Sequence, residues 1–174
     1  WKYLDDGSNQ GSDWTENDFN DDDWSAGYAE LGYGDGDEVT VVGYGPDENN
    51  KYITTYFRHM FTVNNAVDIQ TLTFSLKRDD GAVVYLNGND VIRSNMPSGT
   101  VHYDTFASTT TGSGEEDTFF SWTLSANLIL DGQNIITVEI HQVSESSSDI
   151  SFDLELSGTN YSNIVLLDSI TFES

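Results

Sequence analysis

"TLTFSLKRDDGAVVYLNGNDVI", residues 71–92, decides the fold. Leu72, Phe74 and Leu76 alternate with Thr71, Thr73 and Ser75, the two-residue period of a strand with one apolar face. A second strand-forming run, "GAVVYL", follows, and Asn87-Gly88 then separates Leu86 from Val91. Both central positions of a two-residue hairpin loop want positive φ, which Asn and Gly tolerate, so this dipeptide predicts a hairpin. Between the two strands stand Lys77, Arg78, Asp79 and Asp80, then Gly81. That corner has three readings: a solvated hairpin turn, a calcium site, or the place where a ligand sits.

The same period recurs along the chain. "IITVEIH" sets Ile136, Val138 and Ile140 against Thr137, Glu139 and His141. "ISFDLEL" sets Ile150, Phe152, Leu154 and Leu156 against Ser151, Asp153 and Glu155. Each pattern predicts one buried and one wet face. "ITTYFRHMFTV" reads as a further strand, "LDGQN" at 130–134 as a turn, and "SANLIL" as a short helical turn. Many short strands with turn punctuation and no helical period indicate an all-β fold, an antiparallel β-sandwich of the jelly-roll kind. Residues 1–158 read as one such module. Its first 50 residues are rich in Gly, Asp and Asn yet hold Trp1, Trp14 and Trp24, so they are expected to be ordered loop wrapped over a core. Residues 159–174 read as a final strand or the start of a linker.

The chain carries 30 acidic against 6 basic residues, a formal net charge of -24. Nucleic acids and anionic membranes would be repelled by it. It suits a neutral or cationic ligand, divalent cations or a salty exterior. No cysteine is present, which rules out disulfides, thiolate zinc sites and cysteine nucleophiles. No apolar stretch is long enough to span a bilayer as a helix. The chain opens on Trp1 without a signal peptide, as a module cut from a longer protein would.

"DFNDDDWSAGYAELGYGDGDEVT", "YITTYFRHMF", "RDDGAVVYLNG" and "VEIHQVSESSSDISFDLEL" together resemble the galactose-binding-domain-like jelly rolls appended to secreted bacterial enzymes. The Phe, acidic residues, Trp and "LGYG" also resemble jelly-roll domains of large β-galactosidases. The resemblance runs from Trp1 to Gly158 and implies an accessory module on a polysaccharide-degrading enzyme or phosphoesterase. It identifies the fold well and the ligand poorly, because that fold hosts carbohydrate binding, lipid-head binding and scaffolding. A shorter resemblance, of Asp79-Asp80-Gly81 and Tyr85–Gly88, is to the protective-antigen-type lectin domains of yeast adhesins. There two adjacent aspartates joined by a cis peptide hold a calcium ion that coordinates sugar hydroxyls. Calcium needs six to eight hard oxygens, so Asp149 and loop carbonyls are candidates to complete such a site.

Further candidates follow from residue type. Asp35, Asp37 and Glu38 in "GYGDGDEVT" approach the spacing of a calcium loop without the full EF-hand pattern. With Asp22 and Asp23 they are candidate metal ligands, or solvated acidic turns. For sugar, Trp14, Tyr33 and Tyr44 are candidate stacking platforms in glycine-rich loops, since a pyranose presents an apolar C–H face to a ring. Trp24, Phe19 and Trp122 read as core. His141 and Gln142, closing a strand, are candidate readers of sugar hydroxyls or surface residues. Arg58, Lys77 and Arg78 are expected to pair with carboxylates or to bind an acidic sugar.

Catalytic signatures are missing from the sequence. There is no G-x-S-x-G and no phosphate-cradling loop, and His59, His102 and His141 are scattered. The expectation is a monomeric, non-catalytic module, secreted or on the cell surface of a marine bacterium. It would target a catalytic domain in the same chain to a polysaccharide, an algal or other β-glucan. The alternative is a structural spacer holding calcium without a glycan.

Overall fold

The structure, a computed structural model, describes residues 1–112, 114–160 and 164–168. Among the described residues twelve strands form: β1 (Lys2–Leu4), β2 (Ser25–Ala26), β3 (Leu31–Tyr33), β4 (Thr40–Val41), β5 (Thr54–Val63), β6 (Ile69–Asp79), β7 (Gly81–Leu86), β8 (Asn89–Ser94), β9 (Phe120–Ser125), β10 (Gly132–His141), β11 (Ile150–Asn160) and β12 (Ile164–Asp168). They make two sheets, ordered β2-β1-β5-β10-β7-β8 and β4-β3-β11-β6-β9, with β12 paired to β11. All pairings are antiparallel except β3–β4. Successive strands from β5 to β11 pass from one sheet to the other at every step except the β7–β8 hairpin. The result is an antiparallel β-sandwich.

The alternating residues do what their period predicts on the inner faces. Leu72, Phe74, Leu76, Ile136, Val138, Ile140, Phe152, Leu154 and Leu156 are buried in one cluster that joins both sheets. The Phe57 and Phe152 rings lie 4.3 Å apart across it. The hairpin forms with Asn87 at φ 49° and Gly88 at φ 76°, and "SANLIL" supplies a 3-10 turn at Ala126–Leu128.

The outer faces differ from the expectation. Thr137, Glu139, His141, Ser151 and Asp153 are buried, not wet. The first fifty residues cover much of these faces, and the 101–107 loop covers His141. Trp14 and Trp24 lie on Tyr56, and Trp14 also on Tyr85, in a second aromatic cluster on the outer side of the β5–β10–β7 sheet. Alternation reports one guaranteed core face, and a loop with enough apolar surface can cover the other.

Gly32 of β3 shows how tightly that wrapping is joined to the sandwich. A Cβ there would run into the carbonyl oxygen of Ile150 on β11. Because backbone cannot yield cheaply, Gly32→Ala is expected to lower the unfolding free energy by about 1–3 kcal/mol, the usual cost of overpacking. Urea unfolding measures this; an unchanged midpoint would show that β3 is loosely held.

Candidate functional site

Arg78, Asp79, Asp80 and Gly81 do not form a hairpin tip. β6 belongs to one sheet and β7 to the other, so this corner carries the chain across the sandwich. Asp79 and Asp80 are 2% and 1% exposed, which removes the solvated-turn reading. Their peptide bond is cis.

The two carboxylates are used differently. Asp80 Oδ1 accepts from the Thr111 N–H at 2.8 Å, and Oδ2 from the Val143 N–H at 2.7 Å and the Ser147 hydroxyl at 3.2 Å. These donors lie in two loops remote in sequence, so Asp80 ties both to the corner. Asp79 Oδ1 is buried with no hydrogen-bond partner. Burial, then the neighbouring Asp80 carboxylate, pushes the Asp79 carboxyl up to about 8.

Around Asp79 the surroundings are acidic and oxygen-rich. The charge of Asp149 bears on Asp79 and also on the Tyr33 phenol, which burial before all else drives above its ordinary value. Asp35, although exposed at the surface, is raised to about 6 by partial desolvation and then by Asp149, against a Ser151 hydrogen bond that lowers it. Gln142 donates its amide N–H to the Tyr33 hydroxyl, while its Oε1 is buried without a partner. Asp79 Oδ1 and Gln142 Oε1 thus both remain buried without a partner, each an oxygen of the type that a hard cation accepts.

Other sequence candidates fall in different places. Asp35, Asp37 and Glu38 come together, with ligand atoms within 4.8 Å of one another. Glu38 already accepts two backbone N–H groups, from Asp35 and Gly36, at 3.0 Å each. Asp22 and Asp23 sit on an exposed turn outside this cluster. Trp14, at 2% exposure, and Tyr33, at 5%, are too enclosed to be stacking platforms, because other rings cover them. Tyr44 is 37% exposed, with Lys51 Nζ 5.5 Å from its ring centre. His141 and Gln142 are buried, contrary to the surface reading, because the 101–107 loop and Tyr33 cover them.

The scarce cations are spent internally. Arg58 pairs with Asp21, and Lys77 with Glu30 and Asp117, as the sequence predicts. Arg78 departs from that prediction: its donors go to neutral oxygens of Ser94, Asp80 and Thr111, and its guanidinium lies 4.5 Å from the Phe120 ring centre. None of the sequence readings found Thr111, Val143 or Ser147. Two of these act through backbone N–H groups, which any residue would supply, so no side-chain pattern marks them.

No protein-family model matches the sequence, and no curated protein does. Solved structures do. A β-glucuronidase from Bacteroides uniformis superposes over 92% of this chain and 17% of its own, at 13% identity and a TM-score of 0.57. Bacteroides uniformis β-glucuronidase 2, covalently bound to cyclophellitol-6-carboxylate aziridine, covers 89% of this chain and 17% of its own, at 14% identity and a TM-score of 0.52. A β-glucuronidase from an uncultured Clostridium covers 81% of this chain, which spans only 20% of that enzyme, at 17% identity and a TM-score of 0.47. The chain therefore shares the β-sandwich fold of a segment making up about a sixth of the two Bacteroides enzymes.

Proposed function

We propose that this chain is a non-catalytic carbohydrate-binding module that holds an attached, secreted polysaccharide-acting enzyme on its substrate. Holding the enzyme there raises its effective concentration at a polymer such as a β-glucan. The fold likeness to a minor segment of large glycosidases supports the accessory role. The observation that carries the ligand chemistry is the orphaned Asp79 Oδ1, on which the Asp149 charge bears, together with the orphaned Gln142 Oε1 at Tyr33. These oxygens would hold calcium, whose remaining coordination positions would take sugar hydroxyls. In this reading Asp80 is a positioning residue that fixes the loops around the ion.

A second reading is favoured by the depth of the corner. With Asp79 and Asp80 so enclosed, the ion would lock the loops of a spacer domain and touch no sugar. Affinity electrophoresis in gels containing soluble β-glucan separates the two. Migration is expected to be retarded more in calcium than in EDTA, and Asp79→Asn is expected to abolish that difference. A calcium-dependent melting shift with no calcium-dependent retardation would leave the spacer. Release of reducing ends would overturn the non-catalytic role.

A further inference from the structure

Two cavities open on the outer side of the β5–β10–β7 sheet, and Tyr103 lines both. The larger, about 370 Å³, has a floor of Trp14, Tyr56, Tyr85 and Glu139 and an exposed rim that includes Asn9 and His102. The smaller, about 290 Å³, lies between Pro46, Asn50 and Tyr52. Tyr103 itself is 39% exposed. Neither cavity includes Asp79, Asp149 or Gln142.

The backbone that carries Tyr103 is held from beneath. The Thr54 hydroxyl donates to the Tyr103 carbonyl at 2.7 Å, and the His102 N–H to the Thr105 hydroxyl at 2.9 Å. His141 Nδ1 lies 2.7 Å from the Thr105 carbonyl and 3.0 Å from the Thr54 oxygen. The carbonyl can only accept, and the Thr54 proton is already given to Tyr103, so Nδ1 carries the proton. His141 Nε2 then faces Glu139 Oε2 at 3.4 Å, while Glu139 Oε1 accepts from the Tyr85 hydroxyl at 2.7 Å. A fully buried histidine thus braces the loop that presents Tyr103, while its Nε2, next to Glu139, has no hydrogen-bond partner.

The chemistry selects a ligand class. Aromatic walls with a few convergent polar groups suit a pyranose, whose C–H face stacks while its hydroxyls bond. The larger cavity is lined by no Lys or Arg and has a carboxylate at its base, and the one Lys lining the smaller, Lys51, is matched there by Asp47; in a chain of net charge -24 an acidic sugar would be repelled. Two cavities that share Tyr103 fit a chain that continues from one into the other.

We infer that Tyr103 is the central stacking platform of a groove for the interior of a neutral polysaccharide chain, separate from the Asp79 corner and independent of calcium. This rests on the carbohydrate reading above and names a second place where glycan binds. Calorimetry in excess EDTA, with hexaoses of β-1,3-glucan, β-1,4-glucan and xylan, tests it. At least one is expected to bind, and Tyr103→Ala to weaken it by about tenfold or more, since one well-made stacking contact is worth on the order of 1.4 kcal/mol. Tyr103→Phe, which keeps the ring, is expected to stay within about twofold. Ser12→Trp, on the exposed rim of the larger cavity, blocks the groove without touching the 101–105 loop and is expected to weaken binding as well. Binding seen only in calcium would overturn the groove and leave the calcium reading. No binding in either buffer would remove the carbohydrate reading itself. Unchanged affinity in Tyr103→Ala and Ser12→Trp, or tighter binding of an oligoglucuronide, would also overturn the groove.

Discussion

Arg58→Ala is expected to lower the unfolding free energy by about 3–5 kcal/mol, the cost of breaking a buried ion pair by removing one partner. Arg58 is 1% exposed. Its Nε donates to Asp21 Oδ2 at 2.8 Å, and its other nitrogens donate to the carbonyls of Trp14, Glu16 and Phe19. The guanidinium also lies 5.0 Å from the Phe19 ring centre and 5.9 Å from that of Trp24. One side chain of β5 therefore gathers a loop with little regular structure of its own. Alanine would leave the Asp21 carboxylate to Lys2 alone, 3.8 Å away, and strand several enclosed carbonyls. Lysine keeps the charge and loses the planar fork, so Arg58→Lys is expected to recover only part of the loss. Chemical denaturation gives the magnitude, and limited proteolysis gives the place. Cleavage is expected first within residues 5–24, ahead of global unfolding. A change below about 1 kcal/mol, the range of exposed ion pairs, would show that the loop is held by its tryptophans alone.

How much of this was legible in the sequence depends on which atoms carry the structure. Leu72, Phe74 and Leu76 announce a core face by side-chain type and spacing, and Asn87-Gly88 announces a turn by backbone preference, so both were readable. His141 and Glu139 are buried where their alternation predicts a wet face, because that face is covered by Trp14 and the 101–107 loop, a contact between segments far apart in the chain. The Asp79-Asp80 pair was visible as an oddity. That it crosses between sheets, and that Asp80 is consumed by Thr111 and Val143 while Asp79 Oδ1 is left orphaned, follows only from the topology. Tyr103 had no motif at all. Its standing comes from Thr54 and His141 beneath it.

The Asp79 corner leads to an effect of two signs. The Asp79 carboxyl is raised from its ordinary 3.8 to about 8, by burial first and then by Asp80. A group raised in the folded state contributes stability that is fully present below its unfolded value and is lost as pH rises through its folded one. Metal-free protein is therefore expected to melt progressively lower between about pH 4 and pH 8 on account of this group. Calcium requires the carboxylate, so its binding displaces a proton and tightens across the same window. At a calcium concentration about a hundredfold above the dissociation constant, the gain is about 2.7 kcal/mol, or about 5–10 °C for a domain of this size. That shift is expected to be larger at about pH 8 than at about pH 5. Asp79→Asn keeps the shape and removes the ionisable group. At about pH 8 the metal-free variant is expected to melt above metal-free wild type, because no buried charge remains to be desolvated, and to gain nothing from calcium. A carboxyl that merely turns a corner would give the first result with no calcium shift in wild type. An ordinary exposed aspartate would give neither. Wild type without a calcium shift anywhere between about pH 5 and 8, or Asp79→Asn retaining one, would place the cation elsewhere, with Asp35, Asp37 and Glu38 the next residues to substitute.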